Sequence, residues 1–334
     1  MARRHPGRGA WRRAGAAVVA AAGLGAALPA AASATDALDR ALDHLARWQD
    51  PRGGGFSDDA RGTRPGPSAW AALAVAGAGQ DPAGWSRGGA SLRRAVWSDV
   101  ARLPLADLER TAVAAAASGL DPRALDGRNA VREIVLAQAA DGAIGDDVSS
   151  TAWGLLALRA AGLPAGSRAI RLARASIERR QRGDGGWART ASPGSDPNST
   201  SVAVQAVVAA GADPVRSPSL RRARAYLRAA QHADGGFGPV PGSPTTALTT
   251  AWVAVGLSSM GVDLRSGPWS RGGGPLAALR RLQQPDGGLR NAPSSGTTSI
   301  WATSQAVLAF TGRPLPLGAH RSAEEVRPAS APTR

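Results

Sequence analysis

The chain has 334 residues, 40 basic and 25 acidic side chains, a formal net charge of +15, four histidines and no cysteine. The missing cysteine excludes disulfides and thiolate metal sites, and His5, His44, His232 and His320 are too scattered to suggest a zinc site. Every basic residue is Arg, and those on outward-reading helix faces, such as Arg221, Arg222, Arg224 and Arg228, are not interleaved with exposed aromatics; no nucleic-acid partner is expected, while weak attraction to an anionic cell-wall or lipid surface stays open.

In chain order, the first element reads as a leader. Arg3, Arg4, Arg8, Arg12 and Arg13 precede a weakly apolar run over 14–28, and Ala32-Ser33-Ala34 fits the small-residue cleavage pattern of a secretory signal. The expected signal peptide is 1–34, cut after Ala34, with general (Sec) and twin-arginine (Tat) export both open because Arg12-Arg13 stands directly before the apolar run. Removing its five arginines leaves a mature chain near +10. The C-terminal stretch 313–334 is rich in Pro, Ala, Arg and Ser without apolar periodicity and reads as a disordered tail. A secreted monomer is expected.

Between these ends, two patterns alternate. Six Ala-rich segments, 67–79, 105–119, 148–162, 198–211, 245–261 and 296–312, are apolar nearly all round and close on Gly79, Gly119, Gly162, Gly211, Gly261 and Gly312. A helix apolar on every face is a buried helix, and a terminal Gly is its left-handed stop. Asp81-Pro82, Asp121-Pro122 and Asp213-Pro214 bar continuation. Ser68, Ser149, Ser199, Thr249 and Thr297 are the expected N-caps. The intervening segments, 36–48, 91–103, 129–138, 167–181, 220–231 and 275–283, carry one apolar stripe each, as in Ile170, Ala173 and Ile177. Six buried helices alternating with six half-exposed ones predict an all-α (α/α)6 barrel, an α/α toroid over 35–312. An open solenoid is the alternative.

A second repeat punctuates the first. Gln181-Arg182-Gly183-Asp184-Gly185-Gly186-Trp187 returns as Gln231-His232-Ala233-Asp234-Gly235-Gly236-Phe237 and as Gln283-Gln284-Pro285-Asp286-Gly287-Gly288-Leu289. A weaker copy runs from Gln138 through Asp141 to Ile144, and a distorted one from Gln49 to Phe56. The Gln side chain suits unpaired backbone groups at a helix end, and the Gly pair suits a tight reversal. Trp187 and Phe237 are expected to pack against neighbouring outer helices at the outside of the ring. Trp85-Ser86-Arg87-Gly88-Gly89 and Trp269-Ser270-Arg271-Gly272-Gly273 form a further matched pair, each opening an outer helix.

With these phrases the chain resembles the prenyltransferase and squalene-oxidase repeat family, whose superfamily includes squalene–hopene-type cyclases, protein prenyltransferases and cobalamin carriers. The resemblance covers nearly all of 35–312 and implies the toroid. It also implies where cyclase chemistry would lie: an Asp-x-Asp-Asp-Thr-Ala segment whose central Asp donates the initiating proton. Here that stretch reads Asp147-Val148-Ser149-Ser150-Thr151-Ala152. A serine hydroxyl is too weak an acid to protonate an alkene, so the departure argues against cyclisation. Protein prenyl transfer and thioester chemistry in the superfamily require Cys, which is absent.

Two groups of side chains are candidates for a site. Asp58, Asp59, Asp146 and Asp147 precede inner helices, either as N-terminal helix charges or as paired carboxylates at the mouth of a funnel, with Glu109 on an inner helix as a further acid. Trp70, Trp153, Trp252 and Trp301 recur near the third position of inner helices, either as inner-to-outer packing at one level or as the lining of an apolar cavity. No metal or cofactor is expected. The function these readings favour is a toroid without cyclase activity that binds an apolar or isoprenoid-like small molecule or a surface partner. The alternatives are a divergent cyclase, prenyltransferase or carbohydrate-active barrel, and a structural module of the cell envelope.

Overall fold

The computed structural model describes residues 34–59, 62–98, 100–189, 194–240 and 242–318. The expected leader, apart from Ala34, and residues 319–334 of the expected tail lie outside them. Among the described residues there are twelve α-helices: α1 Ala34–Trp48, α2 Pro65–Gly77, α3 Leu92–Trp97, α4 Leu105–Ala117, α5 Ala130–Leu136, α6 Val148–Ala160, α7 Arg168–Arg179, α8 Pro197–Ala209, α9 Pro218–Ala230, α10 Ala247–Ser259, α11 Gly274–Leu282 and α12 Ile300–Thr311. The even-numbered helices are the six Ala-rich segments. Each packs against the next, and α12 packs back on α2, so the inner ring closes. The open solenoid is thereby excluded, and the fold is the expected (α/α)6 toroid.

Burial follows the sequence pattern. Along α10 every residue from Thr249 to Leu257 is buried, whereas α7 buries only Ile170, Ala173, Ser176 and Ile177. Small Ala and Gly side chains let the inner helices approach closely. At Gly256 an added Cβ would stand 3.1 Å from Ser201 Cβ on α8.

The repeated phrase is the joint between successive helix pairs. Gln181 Nε2 donates to Gly185 O (2.8 Å) within its own turn and to Ser219 O (2.7 Å) at the start of the next outer helix. Gln49, Gln138, Gln231 and Gln283 repeat this double bond, to the Gly54 and Trp85, Gly142 and Ala169, Gly235 and Trp269, and Gly287 and Ala37 carbonyls. The Trp85 and Trp269 pieces noted in the sequence are thus the acceptors. Asp184, Asp234 and Asp286 each accept from the second Gly of their pair. The first Gly lies at positive φ, +91° at Gly185, and a Cβ there would stand 2.6 Å from Arg222 O on the next outer helix. Glycine is required because that carbonyl fills the side-chain position. The residue after the pair then docks on the inner helix: the Trp187, Phe237, Leu289, Ile144 and Phe56 amides donate to Thr200, Thr250, Thr303, Thr151 and Ser68 hydroxyls.

Three expectations are corrected here. Trp187 and Phe237 do not sit on the outside; both are fully buried, and the Trp187 indole donates to Ile177 O at 2.7 Å. The N-caps lie earlier than Ser68, Ser149, Ser199 and Thr249, and later than Thr297. Asp147, Asp196, Thr246 and Ser299 accept from amides three residues on. Ser68 is instead one of the docking hydroxyls. The tail does not begin at Arg313, because Leu315 is buried and Leu317 packs against the core.

The second outer segment also departs from the pattern. It breaks into α3 and a 3-10 turn, Val100–Arg102, and has no Gln-Asp-Gly-Gly phrase after it. Arg128 takes the glutamine's place, donating to the Val100 and Leu103 carbonyls (2.7 and 2.9 Å) while Glu133 accepts from the same guanidinium.

Candidate ligand-binding funnel

The docking hydroxyls define a register along the inner helices. Two residues after Ser68, Thr151, Thr200, Thr250 and Thr303 come Trp70, Trp153, Val202, Trp252 and Gln305. One helical step of two residues turns the side chain from the outer wall towards the barrel axis. The indoles accordingly meet one another instead of joining inner to outer ring, which decides between the two sequence readings. Trp153 and Trp252 stack (ring centroids 5.4 Å apart, 13° between planes), and Trp70 stands edge-on to both at 5.6 and 5.2 Å. Such offset and edge-to-face contacts are the preferred arrangements of aromatic quadrupoles. Trp301 is not equivalent to the other three. It lies one turn earlier on α12, 6.3 Å from Trp70, and Gln305 holds the register position. Oriented to satisfy both of its ends, Gln305 accepts from Trp301 Nε1 (2.8 Å) and donates to Leu248 O (3.2 Å).

Above this indole floor opens a cavity of about 930 Å3. Val202 and Leu248 extend the apolar lining, and the wall towards the N-terminal ends of α6 and α8 carries Asp147, Ser149, Ser195, Asp196 and Asn198. Asp147 caps α6 through Ser150 N (2.8 Å) and pairs with Arg189 (3.2 Å). Asp196 caps α8 in the same manner. These carboxylates are held by the scaffold.

Glu109 is different. It projects from α4 into the lining, is fully buried, and accepts from Ser150 Oγ through both oxygens at 2.9 Å. Burial pushes its carboxyl up to about 8, against the lowering effects of the Ser150 hydrogen bond and Arg110, and Asp147 adds to the rise. At neutral pH Glu109 is a neutral acid, able to donate a hydrogen bond beside an aromatic surface. Trp70 Nε1 is buried and has no hydrogen-bond partner among the described residues. The funnel is therefore lined by indole faces and by a polar wall that includes Arg110, Asp147, Arg189 and Asp196, with the neutral Glu109 acid buried in its lining.

The other candidate acids do not join it. Asp146 is exposed and outside the lining. Asp58 and Asp59 lie a repeat away, in a cleft of about 580 Å3 at the seam between the last and first repeats. Asp58 accepts from Trp301 N and Ser299 Oγ, so it serves the start of α12, and not α2, which follows it in sequence. In that cleft His44 Nδ1 stands 3.3 Å from Asp286 Oδ2, and burial holds the imidazole below its usual range against the raising effect of Asp286. Among the described residues no group of three His, Asp or Glu side chains is placed to hold a metal ion, and no helix is long and apolar enough to cross a membrane.

The sequence reading missed the Glu109–Ser150 bond, Val202, Gln305 and the free Trp70 donor. The register Thr-x-Trp/Val/Gln would have placed Val202 and Gln305, since both follow a docking Thr by two. The other two depend on side-chain orientation in space and leave no signal in spacing.

No family model and no curated protein matches the sequence. Solved structures do match in fold. The type II terpene cyclase MstE from Scytonema without ligand superposes with a TM-score of 0.58 at 13% identity, over 82% of this chain and 98% of that one. A single-substitution variant of that enzyme with its substrate geranylgeranyl dihydroxybenzoate gives 0.58 at 14%, over 84% and 98%. An unsaturated glucuronyl hydrolase specific for heparin gives 0.61 at 12%, over 84% and 96%, and the one from Bacillus sp. GL1 gives 0.57 at 16%, over 83% and 94%. The chain has the α/α toroid fold that these enzymes share.

Proposed function

We propose that this toroid is an exported protein without cyclase activity that holds an apolar, isoprenoid-like small molecule in its funnel. The observation that carries this reading is the floor of mutually packed indoles beneath a cavity of about 930 Å3. A cavity of that size suits a ligand of drug-like dimensions, with most of its surface apolar and a few polar groups to orient it. The apolar body would lie on Trp70, Trp153, Trp252 and Trp301. The geranylgeranyl substrate of MstE agrees with that ligand class by likeness of fold alone.

Two observations speak against cyclisation. Ser149 and Ser150 stand where the resemblance would place acids. The acid that is present, Glu109, titrates near 8, far too weak to protonate an unactivated alkene. A second reading, a hydrolase, is favoured by one feature: a protonated Glu109 and the Asp147 carboxyl line the same funnel, and acid–carboxylate pairs cleave glycosides. Asp147 is committed to a helix cap and to Arg189, which favours the binding reading.

Native mass spectrometry of the chain purified from its own secretion tests the proposal, together with titration of its indole fluorescence by geranylgeraniol. Retained prenyl or lipid mass and a saturable fluorescence change are expected. No retained ligand and no shift in melting temperature would sink it, as would turnover of squalene, a prenyl diphosphate or an unsaturated glucuronide. The N-terminal sequence of the secreted chain, expected to begin at Thr35, tests export.

A further inference from the structure

On the outer surface one group of arginines lines a groove together. Several other outer-helix guanidinia are engaged. Arg47, Arg179 and Arg281 donate to the Asp286, Asp141 and Asp234 carbonyls of neighbouring joints. Arg128, just before α5, and Arg174 on α7 pair with Glu133 and Glu178. On α9, by contrast, Arg221, Arg224 and Arg228 line a groove of about 380 Å3 against the 3-10 turn Gly267–Trp269. Among the described residues none of the three has a carboxylate within ion-pair distance. The acids nearest in sequence are committed: Asp213 to Arg216 and to backbone amides, Asp234 to Thr245 and the Gly236 amide; Asp263, further on, is held by Ser266 and the Arg265 amide.

Each guanidinium spends only part of its donor set. Arg221 donates to Arg216 O (2.9 Å), Arg224 to Met260 O (3.4 Å) and Arg228 to Gln231 Oε1 (3.0 Å). Arg224 Nε is buried with no partner. Arg228 lies over the Trp269 ring, 6.0 Å from its centroid, which fixes one wall of the groove. Spaced three and four residues apart, the three side chains share one helix face and stand roughly 4.5 and 6 Å apart along the axis. Three cations held that close without a counter-charge repel one another, and an anion spanning them relieves this. Guanidinium forks match phosphate oxygens in geometry as well as charge.

We infer that this groove binds a linear oligophosphate anion, with one guanidinium to each of three linked phosphate groups. The site lies on the outer wall and is independent of the funnel and its ligand. Isothermal titration of the full chain with tripolyphosphate in about 0.1 M salt tests it, where surface attraction is already screened beyond about 10 Å. One saturable site is expected. Arg224→Ala and Arg228→Ala should each weaken it about tenfold, Arg224→Lys should restore part of the loss, and Arg168→Ala, removing an equal charge from α7, should change it less than twofold. If Arg224→Ala lowers the melting temperature, the Arg224→Lys and Arg228→Ala pair carries the test. Heat that does not saturate, an equal loss in Arg168→Ala, or binding only to phosphatidylglycerol vesicles and not to tripolyphosphate would each overturn the assignment.

Discussion

Glu109 gives the sharpest test of the funnel, because its ionisation is written into the stability of the whole fold. In the unfolded chain a glutamate titrates near 4.5; in the folded protein burial raises Glu109 to about 8. Between those values the folded state carries a proton that the unfolded state has lost. Stability therefore falls as pH rises through this window and levels off above the folded value. At about 1.4 kcal/mol per pH unit, the cost reaches about 3 kcal/mol at pH 7 and about 5 kcal/mol above pH 8. Glu109 is fully buried, so solvent screening does not reduce these figures. Glu109→Gln keeps the shape and a neutral partner for Ser150 while removing the titration. Urea unfolding of both proteins at pH 5 and pH 8.5 isolates the effect, because all other groups cancel in the double difference. The variant should match the wild type within about 1 kcal/mol at pH 5 and exceed it by several kcal/mol at pH 8.5. Equal pH dependence in the two proteins would refute the assignment of a buried, protonated acid.

Gln231→Ala leaves the Gly235 and Trp269 carbonyls without their shared donor in a buried joint, and should cost about 2–4 kcal/mol in thermal or urea unfolding. Gly287→Ala forces a side chain into a residue at φ +86° and against the Arg40 carbonyl, at the joint that closes the last repeat on the first. It should cost at least about 2 kcal/mol and speed limited proteolysis near α1 more than elsewhere. Trp153→Leu removes the face that stacks on Trp252; it should weaken retention of a prenyl ligand about tenfold while costing about 2 kcal/mol of stability.

Most of the fold was legible because the toroid is a repeat. Each joint must satisfy the same outer-helix carbonyls and admit the same close approach, so Gln, Asp and paired Gly recur at fixed spacing, and the closing glycines mark the inner helices. What spacing could not reveal is where a capping side chain gives way to a docking one. Ser68 and Ser199 look like N-caps by composition, yet Ser68 and the neighbouring Thr200 hold the Phe56 and Trp187 amides, while Asp196 caps α8 a turn earlier. Both roles ask for a hydroxyl or carboxylate near a helix start, and only the path of the incoming chain distinguishes them. Arg128 was hidden for a related reason. It does the work of a missing glutamine from the following segment in sequence, so no local pattern announces it.

The funnel was only half legible. Four tryptophans at similar helical positions announce one level of the barrel, but the sequence left open whether they face the axis or the outer ring. The docking hydroxyls settle it: a side chain two residues beyond one that bonds the outer wall must turn inward. The same geometry explains why Glu109 escaped emphasis. It belongs to α4, the one inner helix whose joint lacks the repeated phrase, so the register that aligns the indoles gives no equivalent for it. The repeat thus sets the register positions that carry Trp70, Trp153, Val202 and Trp252, and the fully buried acid Glu109 stands on the one inner helix whose joint lacks the repeated phrase. Arg128, by holding the Val100 and Leu103 carbonyls, is what lets the second repeat depart from the pattern while the ring stays closed.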